Sequence, residues 1–345
     1  MDFKLSKEHE MARKMFREFA ENELEPLAVE IDEEERFPWE SVAKFARYGM
    51  MGIPIPKKYG GAGGDNLMYC IAIEEIAKKC ATSSVIIAAH TSLCMGPIMA
   101  FGTEEQKMKW IPDLASGRKI GAFGLTEPGA GTDASGQQTQ AVKDGDEYVL
   151  NGTKCFITNG DTADTYVVFA VTDKTKGLKG ISLFVVEKGT PGFSTGLHEK
   201  KMGIRGSSTT DLIFEDCRIP AGNLIGKEGQ GWKICMHTLN GARAGVAAQA
   251  LGIGEGALDL AMKYVQERMQ FKKKLSKFQR TQFEIADMHT KLEAGKLLVY
   301  SAACKEDAYK KGDKTQNYAM DSAMAKLFCG EAASDVTRRC VQLFG

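Results

Sequence analysis

From Ser6 to about Lys119 the apolar residues recur at three- and four-residue spacing, as in Ala12, Met15, Phe16 and Phe19. Pro26 and the loop Gly60-Gly61-Ala62-Gly63-Gly64 punctuate the pattern, which predicts an α-helical first domain over residues 1–119. Between about Ile120 and Ile225 the period shortens to two. Tyr148-Val149-Leu150, the turn signal Asn151-Gly152 and Cys155-Phe156-Ile157-Thr158 read as a hairpin, and further strands are expected at Tyr166 to Val171, Ile181 to Val186 and Leu212 to Phe214. This predicts a β-domain over 120–230. Helical spacing returns around Trp232 to Phe271, Phe278 to Tyr309 and Tyr318 to Phe344, with breaks near Lys272 to Lys274 and Lys310 to Lys314, so a second helical domain is expected over 231–345. The fold class is therefore α+β in the order helical, β, helical. The strands do not alternate with helices, which excludes a doubly wound nucleotide fold.

Charge and composition remove several functions. Lysine plus arginine and aspartate plus glutamate both number 45, so no global field draws the protein to nucleic acid, and an anionic ligand needs a local basic site. No apolar run is seen to approach the roughly 18 residues of a membrane span. The start, Met1 to Glu8, carries acids and no apolar core, which argues against a secretory signal or transit peptide. The nine cysteines show no metal-ligand spacing, so no metal site is expected; they read as reduced thiols of a cytoplasmic protein.

The most informative stretch is Phe123-Gly124-Leu125-Thr126-Glu127-Pro128-Gly129-Ala130-Gly131-Thr132-Asp133-Ala134-Ser135-Gly136. Its small residues let a flat polar ligand approach backbone N–H groups, and its hydroxyls add directional hydrogen bonds. Alone it reads equally as a Gly-rich surface loop, and it does not fit G-x-G-x-x-G. It acquires meaning beside Phe156-Ile157-Thr158-Asn159-Gly160 and Lys201-Met202-Gly203-Ile204-Arg205-Gly206-Ser207-Ser208-Thr209. Together these segments resemble the acyl-CoA dehydrogenases, whose β-domain carries L-T-E-P-G-A-G-[ST]-D and [WF]-I-T-N-G. The resemblance extends over the whole chain, including Phe214 to Pro220 and Gly245 to Gly252, and its wording is similar to that of the bacterial butyryl-CoA group.

The resemblance implies FAD as cofactor. Phe123, Leu125, Thr126, Gly131, Thr132, Phe156, Ile157 and Thr158 would hold the flavin, with Thr126 at the pyrimidine edge, Thr158 near N5 and Phe156 flanking the ring. Without that context Phe156 would be ordinary core. Thr132, Asn240 and Arg243 would contact the acyl-CoA substrate, although relatives often carry Asp where Asn240 stands. Arg268 and Gln279 would reach the diphosphate and adenosine of the FAD of a neighbouring subunit, arginine suiting phosphate through its planar fork, Phe271 beside them would also contact the cofactor, and Gln342 would line the adenine site. The common Q-F-G-[RK]-P-L reads Gln270-Phe271-Lys272-Lys273-Lys274-Leu275 here, and losing glycine and proline is expected to change the turn.

The resemblance further implies oxidation of a short-chain acyl-CoA to the trans-2-enoyl-CoA, an electron-transferring flavoprotein as acceptor, and a homotetramer. The stretch Ala88 to Cys94 would bear on acyl chain length. The family's catalytic glutamate lies in an [IV]-Y-E-G-T motif that residues 1–345 do not contain, or on the helix before Arg243, where Ala242 stands. Because the last helix stays apolar to Phe344, the natural chain is expected to continue, and the chain as given is expected to lack its base. Glu127 and Glu255 are expected to be structural, on the general habit of carboxylates to sit at the surface. A non-catalytic FAD- or CoA-binding partner and an acyl-CoA oxidase remain alternatives on the same scaffold.

Overall fold

In the computed structural model, residues 4–345 are described; the beginning of the Met1 to Glu8 stretch lies outside the described residues. Helices occupy Lys7–Phe19 (α1), Glu25–Glu33 (α2), Trp39–Arg47 (α3), Asn66–Ala77 (α4), Ala81–Ala88 (α5), Gly96–Phe101 (α6) and Glu104–Ala115 (α7). Their starts follow from local chemistry. The Ser6 hydroxyl accepts from the His9 N–H, the Asp65 carboxylate from the Met68 N–H, and Thr103 with Gln106 forms a reciprocal capping box.

The β region supplies Gly121–Gly124 (β1), Gln140–Asp144 (β2), Glu147–Thr158 (β3), Thr165–Val171 (β4), Ile181–Glu187 (β5), Phe193–Thr195 (β6), Thr209–Pro220 (β7) and Leu224–Ile225 (β8). They form one sheet in the order β6-β7-β3-β2-β4-β5-β8, with β1 parallel to β4. Two expectations change here. Asn151-Gly152 is not a hairpin turn: β3 runs straight through it, and the pairing with β7 slips between Leu150 and Gly152, so the glycine makes a bulge. A Cβ on Gly152 would meet the Thr139 Oγ1 at 2.6 Å, which is why glycine stands there. The turn of the β2–β3 hairpin falls earlier, at Gly145 with φ +60°. The strand expected at Leu212 to Phe214 is four times that length, because pairing with β3 continues on both sides of it.

Three long helices follow: Gly231–Glu267 (α8), Gln279–Lys310 (α9) and Tyr318–Phe344 (α10), and between α8 and α9 a short hairpin of Met269–Gln270 (β9) and Lys273–Lys274 (β10). That hairpin closes without glycine by placing both turn residues in the left-handed region, Phe271 at φ +52° and Lys272 at φ +63°. The expectation about apolar runs also needs correcting. Ala81–Phe101 is long and apolar enough to cross a membrane by length and composition, but 61% of that window is buried inside the fold, and π-helical turns at Ala89–Met95 interrupt it, as in a core segment.

By contacts the chain divides into two compact units, one of residues 1–29, 65–85 and 240–345 and one of residues 30–64 and 86–239. The first is a helical bundle in which α1, α9 and α8 pack on α4 and α10 on α9. Gly252 and Gly256 sit so close to the Glu74 and Lys78 carbonyls that a Cβ would fall at 2.2 Å from either oxygen. The second holds the sheet, with a core of Met95, Ile98, Trp110, Leu114, Val167, Phe169, Leu183 and Ile234 among others.

Candidate flavin and thioester site

Phe123, the third residue of β1, has its ring edge-on to Phe169 at 5.2 Å, and after Gly124 the chain enters the loop Leu125 to Ala130. The loop is closed on itself by the Glu127 N–H to the Ala130 carbonyl (3.2 Å) and the Ala130 N–H to the Glu127 carbonyl (3.0 Å). It is tied to β3 by the Cys155 N–H, which donates to the Thr126 carbonyl at 2.9 Å. Gly129 and Gly131 have open space where a Cβ would stand, and Gly131 and Thr132 are exposed.

On β3 the pairing with β7 slips again between Lys154 and Ile157, throwing Phe156 out of the sheet. Phe156 adopts φ +58° and is 63% exposed, between buried Cys155 and buried Ile157. The reading of Phe156 as core, taken without the motif, is thus wrong. A large aromatic in the left-handed region facing solvent is costly on two counts, and such strain collects where a ligand is bound. Half-buried Thr158 lies opposite Thr209 in the register, and Asn159, at φ +62°, donates to the Ile86 and Gly121 carbonyls from below.

Sequence reasoning passed over the residue that organises this loop. Lys154 is completely buried, and its ammonium donates to the Leu125 carbonyl (3.1 Å), Glu127 Oε1 (2.7 Å) and Gln137 Oε1 (2.9 Å), so all three of its protons are used. Glu127 also accepts from the Gln138 and Thr139 N–H groups at 2.6 and 3.0 Å. Glu127 is structural as expected, yet buried, contrary to the surface habit it was read from; Glu255 is likewise buried, between Lys78 (2.8 Å) and Lys296 (2.7 Å). Burial pushes the Glu127 carboxyl up, but the Lys154 ammonium outweighs it and the group sits below the ordinary carboxylate value. For Lys154 burial wins over the pull of Glu127 and lowers it to about 8. The available signal was the Glu127 charge inside a loop of small residues, which demanded a cation nearby.

Eight predicted residues, Phe123, Leu125, Thr126, Gly131, Thr132, Phe156, Ile157 and Thr158, come together in the unit that carries the sheet. The other six belong to the helical unit. There Asn240 and Arg243 sit half-buried one turn apart on α8, and the Arg243 guanidinium donates to the Asn240 side-chain oxygen. Arg268 and Gln279 flank the β9–β10 hairpin, closed by the Leu275 N–H to the Arg268 carbonyl at 2.9 Å. Both are exposed, as are Phe271 (87%) and Gln342 near the end of α10. The Ala88 to Cys94 stretch is mostly buried, His90 accepting from the Gly121 N–H and donating to the Leu114 carbonyl.

Comparison with known proteins gives the family. Residues 6–118, 122–217 and 229–345 match the N-terminal, middle and C-terminal domains of acyl-CoA dehydrogenase. The short-chain specific acyl-CoA dehydrogenase of Clostridium acetobutylicum is 57% identical over 345 residues, spanning 100% of this chain and 89% of that protein. Among solved structures, butyryl-CoA dehydrogenase from Megasphaera elsdenii superposes with a TM-score of 0.96 at 48% identity, covering 100% of this chain and 90% of that one. A chain in a structure of the electron transferring flavoprotein of Acidaminococcus fermentans reaches 0.97 at 52% identity, covering 100% and 89%. The chain belongs to the acyl-CoA dehydrogenase family.

Proposed function

We propose that this chain binds FAD and oxidises a short-chain acyl-CoA to the trans-2-enoyl-CoA, with an electron-transferring flavoprotein as acceptor. The single observation that carries the cofactor assignment is Phe156: an exposed ring held at φ +58° by a bulge, beside the open Gly129 to Thr132 cradle. That combination fits a planar ring system and has no role in packing the sheet. FAD, when bound there, would supply the acceptor for the hydride that leaves the β-carbon of the thioester.

The protein's part is positioning and charge. Phe156 would flank the isoalloxazine, the Thr126 and Thr158 hydroxyls and the Thr126 N–H would address its polar edge, and Leu125 and Ile157 would help exclude water from it. Thr132 in the sheet unit would contact the CoA thioester, and Asn240 and Arg243 in the helical unit would contact the pantetheine and nucleotide arm. Arg268 and Gln279 would hold the diphosphate and adenosine of a neighbouring subunit's FAD, the guanidinium suiting phosphate, and Phe271 and Gln342 would add contacts to the dinucleotide. Hydrogen bonds to the thioester oxygen stabilise the enolate-like charge that forms as the α-proton leaves. Glu127 is committed to Lys154 and two backbone N–H groups, so it takes no part in that proton transfer. The α-proton requires a carboxylate acceptor, which the resemblance assigns to the glutamate of an [IV]-Y-E-G-T motif that residues 1–345 do not contain, so the part proposed for these residues is to hold the flavin and the thioester while that glutamate takes the proton.

The acceptor reading is supported by the 52% identical chain found in a structure of the electron transferring flavoprotein of Acidaminococcus fermentans, and the short-chain substrate by the Clostridium and Megasphaera relatives. A homotetramer in the cytoplasm completes the proposal; all nine cysteines are free thiols, as a reducing compartment requires. The test is a titration of the FAD-loaded protein with butyryl-CoA, followed by the visible flavin spectrum. The expected result is a saturable shift of the flavin band, lost with free CoA at the same concentration. A chain that retains no FAD, or a spectrum indifferent to butyryl-CoA, overturns the reading.

A further inference from the structure

We infer that Lys154 is a positioning residue for the cofactor: by drawing the Leu125 carbonyl inward it turns the Thr126 N–H outward toward the flavin edge. The inference rests on the flavin reading above and deepens it. In a trans peptide the C=O and N–H point in opposite directions, and no cis peptide occurs among the described residues. The Leu125 carbonyl is fixed at 3.1 Å from the Lys154 Nζ, so the N–H of the same peptide, that of Thr126, faces away from the buried ammonium. The next carbonyl, that of Thr126, is also drawn inward, by the Cys155 N–H. Two successive inward carbonyls hold the loop in one presentation.

The remaining two ammonium protons set the loop's far side. One goes to Glu127, whose second oxygen holds the Gln138 N–H, and the other to Gln137, whose amide nitrogen donates to the Ala134 carbonyl at 2.9 Å. A single buried cation therefore fixes both flanks of the segment that carries Gly131 and Thr132. A lysine kept merely for stability would be poorly chosen, since a buried ion pair is often no better than an apolar pair of the same volume.

The test compares wild type with the charge-neutral double variant Lys154→Met/Glu127→Gln, which leaves no buried charge unpaired. The measurements are FAD dissociation constant, visible spectrum and flavin midpoint potential. Weakening of FAD binding by about tenfold or more, with a shifted band and potential in a cooperatively folded variant, is expected from the loss of charge-anchored hydrogen bonds. A folded double variant whose FAD affinity, band and potential all match wild type overturns the inference. If the double variant does not fold, wild type decides alone: FAD affinity should fall between pH 7 and 9.5 as Lys154 loses its proton. The groups facing Lys154 are Glu127, Cys155 and Cys235, the two thiols both pushed up by burial, and a flat profile overturns the inference. Wild type that binds no FAD at all sinks the flavin reading instead, and amide exchange at Cys155 in the apoprotein then tests the loop directly: unchanged exchange in the double variant overturns the anchoring role.

Discussion

Glu74 in the helical unit and Glu127 in the sheet unit are both buried carboxylates, yet they are held in opposite ways. Glu74 belongs to a pool: Glu74, Glu75 and Glu255 share Arg13, Arg17, Lys78 and Lys296, with several pairs at 3.5 to 3.9 Å rather than in close contact. Its nearest partner is the Tyr300 hydroxyl, which donates at 2.5 Å. Burial, reinforced by Glu255, pushes Glu74 up to about 8. Glu127 has one cation at 2.7 Å and two backbone donors, and it is held below the ordinary value. A pool lets each member find another partner when one is removed. A closed set of three donors and three acceptors does not. The sheet unit accordingly ties the loop after β1 to one closed set of partners, whereas the helical unit spreads the load around Glu74 over several.

The sharpest way to break this contrast is to remove one member from each set. Lys154→Met leaves Glu127 buried and unpaired and is expected to lower stability by about 3–5 kcal/mol, with Lys154→Met/Glu127→Gln recovering most of it in urea unfolding. Lys78→Met, with Arg13, Arg17 and Lys296 still present, is expected to cost about half as much or less. Equal costs would mean that the pool is as rigid as the pair.

The pH dependence gives the next effect, with opposite origins in the two units. Glu74 titrates higher in the fold than unfolded, so stability falls as pH rises from about 4.5 through 8; Glu74→Gln should gain on wild type by about 1–2 kcal/mol across that window. Lys154 titrates lower in the fold, so the unfolded chain holds more protons between about 8 and 10.5 and stability rises there; the neutral double variant should lack that rise. Thermal unfolding at pH 5, 7, 9 and 10 reads both slopes.

Backbone strain sharpens the comparison at smaller scale. Of the seven non-glycine residues with positive φ among those described, Glu35, Phe156, Asn159, Ile204 and Asp216 lie in the sheet unit and only Phe271 and Lys272 in the helical one. Phe156→Gly is expected to leave the apoprotein as stable or more stable by about 1 kcal/mol while weakening FAD binding about tenfold, which isothermal titration would show. Lys272→Gly should add about 1 kcal/mol in thermal unfolding with a smaller effect on FAD, because the hairpin keeps its shape and loses only strain.

Much of this was legible beforehand because it depends on neighbours in sequence. The long helices Gly231–Glu267 and Gln279–Lys310 depart by only a few residues from the apolar periodicity that predicted them, and Tyr318–Phe344 matches it at both ends. The Leu125 to Thr132 and Phe156 to Thr158 motifs pointed to the family that the domain matches show. Asn151-Gly152 misled because the same dipeptide serves a turn or a bulge, and only the position of Thr139 decides which. Ala81–Phe101 misled in the other direction, because His90, Thr91 and Ser92 mask an apolar stretch whose average still passes for a membrane span.

The sequence by itself determined the order of helical and β segments and the family, since periodicity and motif spelling are local properties. The tertiary structure alone decided that Phe156 stands out of the sheet, that Glu127 is buried, and that Lys154 is its partner. These depend on strand register, and residues 27 positions apart become neighbours only when β3 passes under the loop after β1. A charge in a sequence has no environment until the fold removes its water.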